Sequence, residues 1–200
     1  MIIAGIDYSM TCPCICLHDT DTEFTFENCF FSFITDKKYL DGQLMDNVGG
    51  HYLNRKDFAD DIVRFEAISH WAILSMAQVK RAALEGYSMG SRGRTFNIGE
   101  NTGVLKNKMY AAGIELDIYS PKEIKMFAVN NTPLDFTKVN KNKIDKDQMF
   151  KIFFDETGVD LPKILTPKKK KIDSPVGDIT DSFYICKLLK ESITSELIQL

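Results

Sequence analysis

The sequence predicts an α/β fold, with one mixed sheet of five strands flanked by helices, in a single domain spanning residues 1–200. Three observations predict it. Short β-forming runs and longer runs of helical period follow one another as βββαβαβ and then helices, the pattern of a sheet layered with helices. The helical runs begin and end on capping residues at the expected offsets. And 200 residues, 44% hydrophobic and 26% charged, are enough for one well-buried core.

The first strand is Ile2-Ile3-Ala4-Gly5-Ile6, an apolar run too short to stand as a helix. It brings Asp7 to its end, where a charge is costly to bury unless paired or bound to a cation. A turn-forming Asp is the alternative. Cys14 to His18 reads as a second strand and Phe24 to Ile34 as a third, with turn chemistry at Thr20-Asp21-Thr22. Three adjacent short strands make an antiparallel meander. Residues 36–56 are polar and contain glycine, and read as a loop or insertion. From Asp57 to Met76, Phe58, Ile62, Phe65, Ile68, Trp71, Ile73 and Leu74 follow helical spacing, with Asp57 as N-cap.

A fourth strand, Val79 to Gly86, carries Glu85 at its end, and a strand after a long helix joins a meander in parallel. Residues 86–103, with Tyr87, Arg92, Arg94 and Phe96, are too polar for a core element and read as a loop. A helix fits Thr102 to Ala112, stopped by Gly113, and a fifth strand fits Ile114 to Tyr119. Ser120-Pro121-Lys122-Glu123 is a helix start with N-cap, Pro at N1 and Glu at N3. Residues 130–142 read as a loop, Asp145 to Thr157 as a helix stopped by Gly158, and 161–175 as a linker rich in lysine and proline. Asp178 to Ile193 is the last helix.

Composition excludes several classes. No apolar run approaches the roughly 18 residues that span a bilayer, and the N-terminus lacks the pattern of a secretion signal. The expected location is therefore the cytoplasm. Five cysteines (Cys12, Cys14, Cys16, Cys29, Cys186) without such a signal read as free core thiols, not as a metal site. Net charge is −3, but residues 138–171 hold ten lysines against five acidic residues, a local +5 that leaves −8 for the rest. The run Lys168 to Lys171 within it is either a solvated linker or a contact for a polyanion.

Carboxylates carry the chemistry. Asp7 and Glu85 end two strands, and Asp178 and Asp181 stand three apart at a helix start, where i and i+3 share a face. Four carboxylates so placed suit two hard divalent cations with oxygen ligands.

Gly5-Ile6-Asp7, Leu84-Glu85, Gly99-Glu100-Asn101-Thr102-Gly103, Lys125, Lys146-Asp147-Gln148 and Asp178-Ile179-Thr180-Asp181 together resemble the ribonuclease H-like nucleases, and among them the RuvC-like Holliday-junction resolvases. The resemblance covers residues 3–189. It departs from the family at Tyr8-Ser9, where a Pro-Gly pair is usual, and in a longer interval between Asp7 and Glu85, so the chain resembles a divergent member, of a bacterial cell or a virus-infected host. The resemblance implies a nuclease that cuts four-way DNA junctions as a homodimer, with two Mg²⁺ per site and Mn²⁺ as a substitute. It implies Asp7, Glu85, Asp178 and Asp181 as metal ligands and Lys146 as a catalytic lysine. It implies Tyr87, Arg92, Arg94, Lys125, Lys143 and Lys146 as DNA contacts; a loop anchor is the alternative for Tyr87, and solvated helix residues for the two helical lysines. Other substrates within the superfamily are RNA–DNA hybrid or other branched DNA. From a different class, Gly5-Ile6-Asp7 also fits an actin-like nucleotide-binding ATPase, and a non-catalytic junction binder is a third alternative.

Overall fold

The computed structural model describes residues 1–86, 95–134 and 144–198. Seven strands form one mixed sheet: β1 (Ile2–Asp7), β2 (Cys14–Asp19), β3 (Cys29–Thr35), β4 (Gly42–Met45), β5 (Val48–Tyr52), β6 (Arg81–Glu85) and β7 (Glu115–Tyr119), in the order β4-β5-β3-β2-β1-β6-β7. β1, β2 and β3 are the antiparallel meander expected, and β6 joins β1 in parallel with β7 beyond it.

The count is seven and not five because residues 36–56 are not a loop. They hold the β4–β5 hairpin, with β5 parallel to β3. Its strands are four and five residues long and rich in glycine, so they lack the alternating apolar signal that marks a strand. Gly50 shows why glycine is there. A Cβ at this position would run into the Leu40 carbonyl and stand 3.0 Å from the Phe33 ring.

Residues alternate between the two faces of the sheet. Ala4, Ile6, Ile15, Ala82 and Leu84 pack beneath α1 (Asp61–Ser75) and α2 (Thr95–Ala111). Ile3, Cys14, Cys16, Phe31, Phe33 and Ala83 face the other side, against α3 (Pro121–Asn130), α4 (Lys146–Thr157), α5 (Leu161–Leu165) and α6 (Val176–Ile198). The helix starts differ from expectation in three places, α6 beginning at Val176, two residues before the expected Asp178. α1 begins after Asp60, whose carboxylate accepts from the Val63 N–H, while Asp57 ends a preceding 3₁₀ turn. α2 begins at Thr95, so its first two turns replace part of the expected loop.

Elsewhere the capping chemistry is followed closely. Ser120 and Glu123 form a reciprocal capping box on α3, as do Asp145 and Gln148 on α4. Gly113 and Gly158 take the left-handed conformation that follows α2 and ends α4. The expected linker after α4 contains α5, which buries Leu161 and Leu165 in the core.

α6 lies across β1, and glycine sets how closely. A Cβ on Gly5 would stand 2.6 Å from the Cys186 Cα and 2.5 Å from the Ser182 carbonyl. Only glycine leaves room for the two backbones at this crossing. Two residues along the same strand face is Asp7.

Candidate active site

β1 and β6 run parallel with Ile6 opposite Leu84. The next residues, Asp7 and Glu85, therefore stand level at the C-terminal ends of neighbouring strands. The period of two puts both on the face covered by α6. α6 approaches that face through Gly5, and Ser182 donates a hydrogen bond to the Cys14 sulfur, 3.3 Å away, where Cys14 pairs directly with Asp7. The first turns of α6 then present Asp178 and Asp181 to the strand ends.

Electrostatics report the convergence. Burial raises the Asp7 carboxyl well above its ordinary range, and Asp178, Asp181 and Glu85 raise it further against the pull of Lys146. Burial likewise pushes Asp181 up to about 7, with Glu85 and Asp178 adding to the rise and Lys146 and Lys125 opposing it. Glu85 is raised mainly by burial, with Lys125 and Lys146 opposing. Two strand ends and one helix start thus share a single field.

Two lysines counter it. Lys146, the first residue of α4, lies 3.8 Å from Asp178 Oδ1. Burial lowers its ammonium, but Asp178, Asp181, Asp7 and Asp173 together hold it above its usual value, so it stays charged. Its aliphatic stem runs past Gly177, whose missing side chain makes the space; a Cβ there would stand 3.1 Å from Nζ. Lys125 on α3 donates to the Ile144 carbonyl at 2.7 Å, which ties α3 to the segment entering α4. Lys125 is therefore held by the protein itself while its charge acts on Glu85 and Asp181.

Cys12 and Cys14 also line the site. Cys12 precedes β2, which begins at Cys14. All five cysteines are free and buried. Burial, with Asp178 and Asp7 among the charges nearby, drives both site thiols upward, so they stand as neutral, weakly polar walls.

Among the described residues, no group of three or more His, Cys, Asp or Glu stands ready to hold a metal ion. The carboxylates act on one another across the site without closing round a common centre, as like charges do when only lysines screen them. The donor set still fits a hard divalent cation. It is all oxygen, and Asp178 Oδ2 is buried without a hydrogen-bond partner. An orphaned carboxylate oxygen in a 3%-exposed residue is costly unless a cation or proton meets it.

Four expected contact residues, Tyr87, Arg92, Arg94 and Lys143, lie outside the described residues. No helix of the described residues is long and apolar enough to cross a membrane.

No protein-family model matches the sequence, and no curated protein matches it either. Among solved structures the chain is similar to Thermus thermophilus RuvC, with a TM-score of 0.57 at 11% identity over 96% of each chain. It is similar also to T. thermophilus RuvC in complex with a Holliday junction substrate, with a TM-score of 0.56 at 12% identity over 98% of this chain and 96% of that one. The fold is that of RuvC. Its class is therefore the ribonuclease H-like one expected, built on seven strands in place of five. At this identity the RuvC likeness belongs to the backbone, so the role of each side chain rests on its own surroundings.

Sequence reasoning gave no site-shaping role to three residues that shape the site. Gly5 and Gly177 admit α6 and Lys146, and Cys14 ties β2 to α6. Gly5 carried a weak signal, since an interior strand glycine marks close backbone approach. For Gly177 and Cys14 the signal is only tertiary.

Proposed function

We propose that the protein is a Mg²⁺-dependent, structure-selective DNA endonuclease that resolves four-way junctions, acting through one nuclease domain. The observation that carries this is the electrostatic influence of Asp178, Asp181 and Glu85 on buried Asp7, beside a buried, unpartnered oxygen of Asp178, on a fold shared with RuvC.

Asp7, Glu85, Asp178 and Asp181 would hold two Mg²⁺, with Mn²⁺ able to take their place. Bound in such a site, the ions supply activation of a water and stabilisation of the leaving oxygen of the phosphodiester. The chain's own groups do the rest. Asp7, Glu85 and Asp181, raised by burial and by neighbouring carboxylates, hold their protons more tightly until a cation compensates the charge. Lys146 stays positive at the edge of the cluster, half exposed, where it can meet a phosphate oxygen. Lys125, fixed on the Ile144 carbonyl, moderates the negative field without leaving its place. The segments after Glu85 and before Lys146, with Tyr87, Arg92, Arg94 and Lys143, supply DNA contacts, Tyr87 by stacking on an unpaired base at about 1–3 kcal/mol. A four-way junction needs two symmetric cuts, and a C2 homodimer presents two such sites.

The test is cleavage of labelled four-way junction, Y-fork, duplex and RNA–DNA hybrid, with and without Mg²⁺. The expected result is paired nicks in the junction that require Mg²⁺ and disappear in Asp7→Asn. Metal-independent cleavage, or a well-folded Asp7→Asn protein that cuts normally, overturns the proposal. Preference for hybrid over junction moves it to the other ribonuclease H-like substrate class.

A further inference from the structure

We infer that the turn Lys168 to Lys171 is a second phosphate-binding surface, which grips the DNA backbone beside the cleavage point. The inference rests on the nuclease proposal and extends it to a stretch that sequence composition alone leaves open as solvated linker.

The turn is a built part of the fold. On its N-terminal side α5 is anchored by buried Leu161 and Leu165, and the Lys169 N–H donates to the Thr166 carbonyl at 2.9 Å. On its C-terminal side the Ile172 N–H donates to Asp147 Oδ1 at 3.0 Å. Lys37, from the end of the β3 connection, donates to the Ser174 carbonyl at 2.7 Å. These tethers hold the turn to the first turn of α4 and to the entry of α6, the two places that carry Lys146 and Asp178.

The tether to Asp147 also fixes distance. Asp147 follows Lys146 in α4, so chain geometry keeps the Lys171 Cα within about 12 Å of the Lys146 Cα.

The charges are available. All four lysines are exposed. Lys169 is partly engaged by Asp173, at 3.2 Å. Among the described residues no carboxylate pairs with Lys168, Lys170 or Lys171. In a chain of net charge −3, three unpaired cations beside an acidic site are where a polyanion can approach. Such contacts position a backbone and carry no base information. The turn therefore adds affinity without adding junction preference.

The experiment measures DNA affinity against salt in EDTA, with Asp7→Asn as the parent. The variants are Lys168→Ala/Lys170→Ala/Lys171→Ala in that parent and, as a control, Lys80→Ala at the opposite end of β6. Loss of three phosphate contacts should flatten the log–log salt slope by about 2.7. Between 50 and 200 mM salt the parent should then lose about 40-fold more affinity than the triple variant. Lys80→Ala should keep the parent slope, and the ratio of junction to duplex affinity should stay unchanged in the triple variant. An equal slope in the triple variant overturns the inference and leaves the nuclease proposal standing, as does an equal effect per charge from Lys80→Ala. If the parent binds neither junction nor duplex even at 50 mM, the nuclease proposal falls and this surface falls with it.

Discussion

Asp181→Asn should make the metal-free protein more stable, even as it removes a proposed metal ligand. The folded protein holds the Asp181 carboxyl at about 7, against an ordinary 3.8. Because the folded value is the higher one, the folded state binds the proton more readily. The stability tied to this group is complete below about pH 4, is lost as pH rises to about 7, and stays lost above. Three pH units at 1.36 kcal/mol each give about 4 kcal/mol. Asp181 keeps intermediate exposure, and solvent screening brings the expected figure down to about 1–2 kcal/mol. Asn has nearly the same shape and cannot ionise. In EDTA the variant should match wild type near pH 4 and exceed it by about 1–2 kcal/mol at pH 8, read by urea denaturation across that range. Saturating Mg²⁺ should reverse the order, because ligand binding stabilises wild type more than a protein lacking one ligand. A pH-independent difference, or a variant weaker than wild type at pH 8 in EDTA, would refute the reasoning.

Three further changes test other parts of the site. Asp7→Asn should reduce Mg²⁺-dependent junction cleavage by about 10²–10³-fold or more with folding and junction binding retained; cleavage near the wild-type rate in a folded variant removes Asp7 from the chemistry. Gly5→Ala should destabilise by about 3 kcal/mol or more, because its Cβ would stand 2.6 Å from the Cys186 Cα; an unchanged denaturation midpoint contradicts the close crossing of α6 and β1. Lys146→Met should lower metal-free stability at pH 8 by about 0.5–1 kcal/mol, since its half-exposed ammonium lies 3.8 Å from Asp178, and a thermal melt identical to wild type denies it that role.

What could be read from the sequence was local chemistry. Ser120 with Glu123, and Asp145 with Gln148, announced two helices because each pair satisfies its own helix start. Gly113 and Gly158 announced stops because few other residues tolerate positive φ. Asp7 and Glu85 stood out because each puts a carboxylate straight after the apolar residues of a strand. The β4–β5 hairpin was invisible for the opposite reason: its Gly50 makes room for Leu40 and Phe33, partners that no local window contains. α2 was shortened because Asn97, Gly99 and Asn101 are weak helix formers, which its packing against α1 and β7 overrides. The link from Lys125 to the Ile144 carbonyl crosses nineteen positions and has no motif.

The same crossing that gives the site its shape also gives it its instability. Gly5 brings α6 down on β1 until water is excluded from Asp7, which is 8% exposed, and burial is the first cause of its raised pKa. A bulkier residue at position 5 would lift the helix, admit water and relax the repulsion among the four carboxylates. It would also weaken the field that would draw the proposed divalent cation there, because charge interactions strengthen as the local dielectric falls. Packing therefore sets both terms together, and they cannot be tuned apart by changing the carboxylates alone. Lys146 moderates the conflict from outside the sheet: it approaches across Gly177, stays charged, and leaves Asp178 Oδ2 without a partner. One carboxylate oxygen thus remains available in a cluster that already carries its own counter-charge.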